Sequence, residues 1–373
     1  MLLLCPRTHY DLIKELRGSF VEAIAEEAAA RPDDAEPYID DDIDQEHFVS
    51  TVRTSLAGYA KAHLDRQGYR TGTMTDEDLV KSIPGEVATP LLSSMRFDYL
   101  FIGNYEASGK KTFFFGDRLT RKLADTELNM PSELLVPPFP SCMFVYDNQT
   151  ARDALFAFHG MKAPDDGVVT VYVNYYKHLE TGPSLGLYIT HTNRRKESSV
   201  AMIRSLNLAP GGSVEAALRT DWTKVNGSQR QHEVIGYETS APEDDTQFYG
   251  PGLRMVRIVA NSVLYLASAD PDVSEPQSLA TASERRHIPP KELRKIAAST
   301  TSVEYIDVGR RSTDYSASQS PTQVTLGHRL KVRGHWKNQA HGPSMSLRKY
   351  IHVEPYWKGP DAAEVINKPY VAR

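Results

Sequence analysis

The stretch VVTVYVNYYKHLETGPSLGLYIT, Val168 to Thr190, holds two runs of β-branched and aromatic residues, Val168–Tyr176 and Leu185–Thr190, joined through HLETGPS. Such residues pack well on a pleated surface, and a short connection containing Gly and Pro joins neighbouring strands, so the segment reads as an antiparallel hairpin. Working outward, the same composition recurs at Phe97–Ile102, Thr112–Phe115 and Cys142–Tyr146, with the first two joined through NYEASGKK as another hairpin. Helices are expected at Thr150–His159, Ser213–Asp221 and Leu253–Ala267, the last apolar enough to lie in the core. The class is therefore α+β, with a largely antiparallel mixed sheet and flanking helices.

Thr8 to Arg31 predicts an amphipathic helix, because Leu12, Ile13, Leu16, Phe20 and Ile24 recur at three- and four-residue steps. Thr8 or Asp11 is available to cap it, and Pro32 marks its end. Asp33 to Glu46 carries eight acids and no base, the pattern of a solvated connector. A second helix is expected from about Gln45 to Gln67. Thr75 with Asp78 forms a capping-box pattern ahead of a short helix that stops before Pro84 and Gly85. Beyond the core helix, DPDVSEPQS reads as a linker and Pro289–Ala298 as a short helix. Val303–Val308, Gln323–Arg333 and Tyr350–Glu354 read as strands, and Gly309–Pro321 as a loop. This divides the chain into a mainly helical region over 1–95, an α+β body over 96–270 and a basic aromatic region over 285–373 that ends as a β-hairpin.

Two cysteines, Cys5 and Cys142, in 373 residues provide neither a disulfide framework nor a zinc ribbon, as expected of a reducing cytoplasm. MLLLCPR is too short for a signal-peptide core, and no later run is long and apolar enough to span a bilayer, so no membrane partner is expected. The net charge of −5 argues against a generally polybasic protein. Leu326 to Pro360 is the exception, with seven Lys/Arg, four His and two of the three Trp against the single acid Glu354. Guanidinium and ammonium groups hold phosphates, and aromatic faces hold unstacked bases, so this composition points to RNA or single-stranded nucleic acid. Arg329, Lys331 and Arg333 alternate along a strand, Gly334 allows a turn that presents His335, Trp336 and Lys337, and Arg348, Lys349, Trp357 and Lys358 complete the candidate interface. In the competing reading Trp336 and Trp357 belong to the core and the cations merely solvate a terminal hairpin.

Catalytic motifs are few. GNYEASGKK lacks the spacing and the Ser or Thr of a phosphate loop. Asp147, Asp153, Asp165 and Asp166 offer a weak Mg²⁺ grouping, and the spacings of His328, His335, His341 and His352 match no short metal motif, so neither cofactor nor metal is expected. The enzyme alternative is metal-independent RNA cleavage, with two tail imidazoles beside a cation as general base and acid. A third alternative is a regulator that binds a folded protein partner.

The pattern His328, Arg333, Gly334, His335, Trp336, then Arg348, Lys349 and Pro355, resembles the C-terminus of a type V-A anti-CRISPR family of phages and mobile elements. Weaker similarity touches Val263–Val273, Arg96–Tyr105 and Leu134–Leu155. The resemblance implies a protein that acts during translation, binding the emerging N-terminal peptide of a Cas effector nuclease, after which the message is lost. By the same resemblance the basic tail engages ribosome or mRNA and the α+β body selects a nascent peptide, whose parent protein stays open.

Overall fold

The computed structural model describes residues 4–32, 37, 45–178, 182–193, 198–220, 253–312 and 330–358. Its centre is a six-stranded sheet of β1 (Thr112–Phe115), β2 (Ser141–Tyr146), β3 (Val168–His178), β4 (Gly182–Thr192), β5 (Ser198–Asn207) and β6 (Ile306–Val308), in the order β5-β4-β3-β2-β1-β6. β2 to β5 pair antiparallel, whereas β1 runs parallel to both β2 and β6. The expected hairpin is present, with Tyr172 opposite Tyr188 and Val171 opposite Ile189.

Strand alternation sends neighbouring residues to opposite faces, and both faces are buried. Phe113, Phe115, Phe144, Tyr146, Val171 and Leu187 face one core, packed against α6 (Asp117–Ala124), α7 (Gln149–Phe158) and α8 (Arg254–Leu266). As the sequence predicts, α8 lies within that core. Phe114, Met143, Val145, Tyr172 and Tyr188 face the other core, against α1 (His9–Leu16), α2 (Gly18–Ala30), α3 (Gln45–Arg66) and α5 (Gly85–Ala107). The short helix α4 (Asp76–Lys81) starts at the predicted Thr75–Asp78 capping box. A helical segment at 214–220 and the helices α9 (Leu279–Arg286) and α10 (Pro290–Ala297) complete the element list.

Several expectations are corrected. Phe97–Ile102 is not a strand but part of α5, in which Met95, Tyr99, Ile102 and Tyr105 are buried at helical spacing. A short apolar run fits a buried strand or a buried helix equally well by pattern. NYEASGKK consequently closes a helix: Lys110 adopts a left-handed φ of 54° and the chain enters β1, which pairs parallel with β2. The boundary expected between residues 95 and 96 falls inside α5. The first helix is two, because Arg17 (φ −141°, ψ 51°) interrupts it. From that break Arg17 reaches the fully buried Asp98 at 3.1 Å, where the Tyr188 hydroxyl also donates at 3.1 Å. Leu16 is left exposed. β5 and α9 were not expected, and the presumed linker Asp270–Ser278 instead runs along β6, with Val273 bridging Val308 and Gln277 bridging Tyr305. The acidic connector lies almost wholly outside the described residues.

Candidate nucleic-acid interface

The tail is built from β7 (Leu330–Val332), β8 (His335–His341), β9 (Leu347–Val353) and β10 (Tyr356–Lys358). β7 pairs with β10 and β8 with β9, both antiparallel. Val332 stands opposite Tyr356 and His335 opposite Val353, so two residues are skipped on each side and the register is unchanged. The four strands form one interrupted ribbon, whose arms differ from the expected Gln323–Arg333 and Tyr350–Glu354.

The interruption has a chemical cause. Pro355 has no N–H to give to a ladder. Gly334 turns its backbone to the loop after α6 instead, donating to Asp125 O at 3.1 Å and accepting from Glu127 N at 2.9 Å. A Cβ on Gly334 would stand 2.4 Å from Thr126 Oγ1 and 2.9 Å from Pro355 Cδ, so only glycine permits this approach. At the far end, Ser344 (φ 52°) and Met345 (φ 56°) both take left-handed conformations unusual for side-chain-bearing residues.

Within the β8–β9 pair, alternation separates two faces. On the inner face the Trp336 indole N–H donates to Asn261 Oδ1 at 2.9 Å. Asn261, fully buried on α8, gives its own amide protons to the carbonyls of Leu123 and Thr126. The Trp336 and His352 rings lie 4.9 Å apart, and His352 meets Tyr265 edge-on. The Thr126 hydroxyl donates to Lys122 O at 2.7 Å, so the 3.0 Å contact between its oxygen and His352 Nε2 requires imidazole to donate from Nε2. Burial, followed by Lys122 and then His335, pushes the His352 pKa down to about 4, so the ring is neutral at pH 7. Lys122, itself buried, pairs with Glu354 at the ribbon's bend.

The outer face carries His335, Lys337, Gln339 and His341 opposite Val353, Ile351, Lys349 and Leu347. His335, Lys337, Lys349 and Leu347 are exposed there, and Arg333 is exposed at the interruption. Arg348 has the inner parity, opposite Ala340, yet is exposed near the ribbon tip. Trp357 is half-buried opposite Lys331. Arg329 lies outside the described residues, as do the side chains of Lys331 and Lys358. The structure thus gathers His335, Lys337 and Lys349 on one open face and turns Trp336 inward. Asn261, Thr126 and Lys122, which hold that arrangement, carried no sequence signal, because each meets the tail only across a long chain separation.

Among the described residues, which exclude His328, the tail histidines are not assembled for acid–base work. His335 and His341 share a face but are six residues apart, about 20 Å along a strand, and His352 points to the opposite face. No group of three His, Cys, Asp or Glu suited to a metal occurs among the described residues. Asp147 instead meets Arg152 and Asp153 accepts from Gln149. Both cysteines are buried free thiols, and among the described residues no helix is long and apolar enough to cross a membrane.

Comparison with curated proteins and with solved structures gave no match. A family model does match, described as AcrVA2-like, the anti-CRISPR type V subtype A2 family. The match runs over residues 113–360, from the first strand of the sheet through the whole ribbon, and omits α1 to α5. Since it takes in about two thirds of the chain and ends with the RGHW ribbon, the chain belongs to the anti-CRISPR type V subtype A2 family.

Proposed function

We propose that this anti-CRISPR protein lowers expression of a CRISPR-related target by binding its nascent peptide with the α+β body and RNA or the ribosome with the outer face of the ribbon. The observation that carries this reading is a face that presents the cations Lys337 and Lys349 beside His335, held on a ribbon whose other face is fixed to α8 through Trp336 and Asn261. Preformed cations attract phosphates without a large ordering cost on binding. For the peptide, β5 is the end strand of the sheet, with no further strand beyond it among the described residues, and an extended chain adds to such an edge through backbone hydrogen bonds. The opposite edge at β6 is guarded by the Asp270–Ser278 segment.

Selective ribosome profiling with tagged protein tests both halves together. Enrichment of ribosomes at early codons of one message, lost in Lys337→Ala with Lys349→Ala while the isolated peptide still binds, is the expected result. Equal ribosome recovery with the folded double variant would remove the ribbon from the mechanism.

A further inference from the structure

A second site lies away from the ribbon, where the parallel strands β1 and β6 end. Phe114, Gly116, Arg118, Arg121, Asp307, Arg310 and Ser312 line a crevice there. Crevices at the carboxyl ends of parallel strands suit ligands because the next helix begins there with unpaired N–H groups. In this chain that helix is α6. Its N-cap is Gly116, which offers no capping side chain, so the amides of Asp117, Arg118 and Leu119 have no intrahelical acceptor. Gly309, at φ +76°, brings the turn after β6 against α6 so closely that a Cβ would lie 2.4 Å from Leu119 Cδ2. That approach places Arg310 and Ser312 over the crevice. Asp117, the opposing charge at the rim, is engaged by Arg121 at 3.1 Å.

The second observation is independent of the helix. Asp307 is 2% exposed, lines the crevice, and neither carboxylate oxygen has a hydrogen-bond partner of good geometry among the described residues. The Gln277 side chain lies beside it without completing one, and the Arg310 charge acts on it without a hydrogen bond. Among the described residues the Ser312 hydroxyl is also buried without a partner. Buried polar atoms are nearly always paired, and leaving a carboxylate without donors costs heavily. The α6 amides and the net positive charge of the crevice favour an anion, and Asp307 calls for hydroxyl donors on the same molecule. A bare phosphate meets only the first demand.

We propose that this crevice binds the ribose phosphate unit of a nucleotide, with phosphate toward Arg118, Arg310 and the start of α6 and a ribose hydroxyl donating to Asp307. The site is distinct from the ribbon and does not depend on the proposed RNA contact there. Calorimetric titration of the full chain with AMP, inorganic phosphate and ribose tests it. AMP is expected to bind saturably, phosphate at least tenfold more weakly, and ribose not at all over the same range. Arg310→Ala, an exposed change that spares the core, is expected to weaken AMP at least tenfold. Asp307→Asn is expected to weaken AMP without weakening phosphate, with the melting temperature confirming that both variants fold. A 5′-phosphorylated RNA trimer that binds more tightly than AMP to the Lys337→Ala and Lys349→Ala chain identifies an RNA end as the source, and one that binds more weakly identifies a free nucleotide. Absence of saturable binding by AMP, or AMP affinity unaltered in both Arg310→Ala and Asp307→Asn, overturns the proposal.

Discussion

At Gly334 one methyl group decides whether the tail docks. The Cβ of Gly334→Ala would meet the Thr126 hydroxyl and the Pro355 ring, both fixed by surrounding backbone, so the ribbon must shift away from α6. We expect Gly334→Ala to lower stability by about 1–3 kcal/mol, as overpacking does, and to speed hydrogen exchange of the Glu127 amide, which Gly334 O now accepts. Denaturant midpoints and exchange rates check this. Trp336 tests the same contact from the opposite side. Trp336→Ala is expected to cost about 3 kcal/mol, and Trp336→Phe about 1 kcal/mol, because the smaller change removes the donor from Asn261 Oδ1 and retains most of the apolar contact. Stability unchanged in both variants would mean that the indole is not an anchor. Of the RGHW residues, the sequence marked the cations and rings as one group. It did not reveal that glycine and tryptophan face the body while His335 faces solvent.

At the scale of elements, the ribbon separates holding from presenting. Lys337 and Lys349 stand diagonally across β8 and β9, close enough to act on neighbouring phosphates of one strand. Replacing both with alanine is expected to reduce the logarithmic salt slope of single-stranded RNA binding by about 1–1.5, at roughly 0.7 per lost phosphate contact, without changing the melting temperature. Filter binding over a salt series reads the slope directly, and an unchanged slope in the folded double variant would place the RNA contact elsewhere. The β2–β4 meander was legible because Val, Ile and Tyr alternate between Gly and Pro breaks. α5 was not legible, since Phe97–Ile102 is apolar on nearly every side and sits between sheet and helices. β5 was obscured by the polar sequence SSVAMIRSLN of an end strand. The ribbon's register was hidden because Arg333–Gly334 has the composition of a turn, whereas the true turn lies at Gly342–Ser346.

Over the whole molecule, acid acts through histidines buried in neutral form. His352 and His159 are pushed from the usual 6.5 down to about 4, mainly by burial, and His9 is lowered by burial beside Asp98 and Arg17. Between pH 6.5 and 4 the unfolded chain takes up protons that the folded chain refuses. Stability is therefore full above pH 6.5 and falls as the pH drops toward 4. Urea midpoints across this window are expected to decline, with a shallower decline in His352→Gln, and a flat profile would contradict neutral burial. The layered sheet carries a different consequence. The residues shared with the family supply the sheet and the helices on one face only, while Phe114, Met143, Val145, Tyr172 and Tyr188 on the other are roofed by α1, α2, α3 and α5. The matched portion alone would be a half-clad sheet, so a chain beginning at Thr112 would leave that apolar face open to water and prone to association.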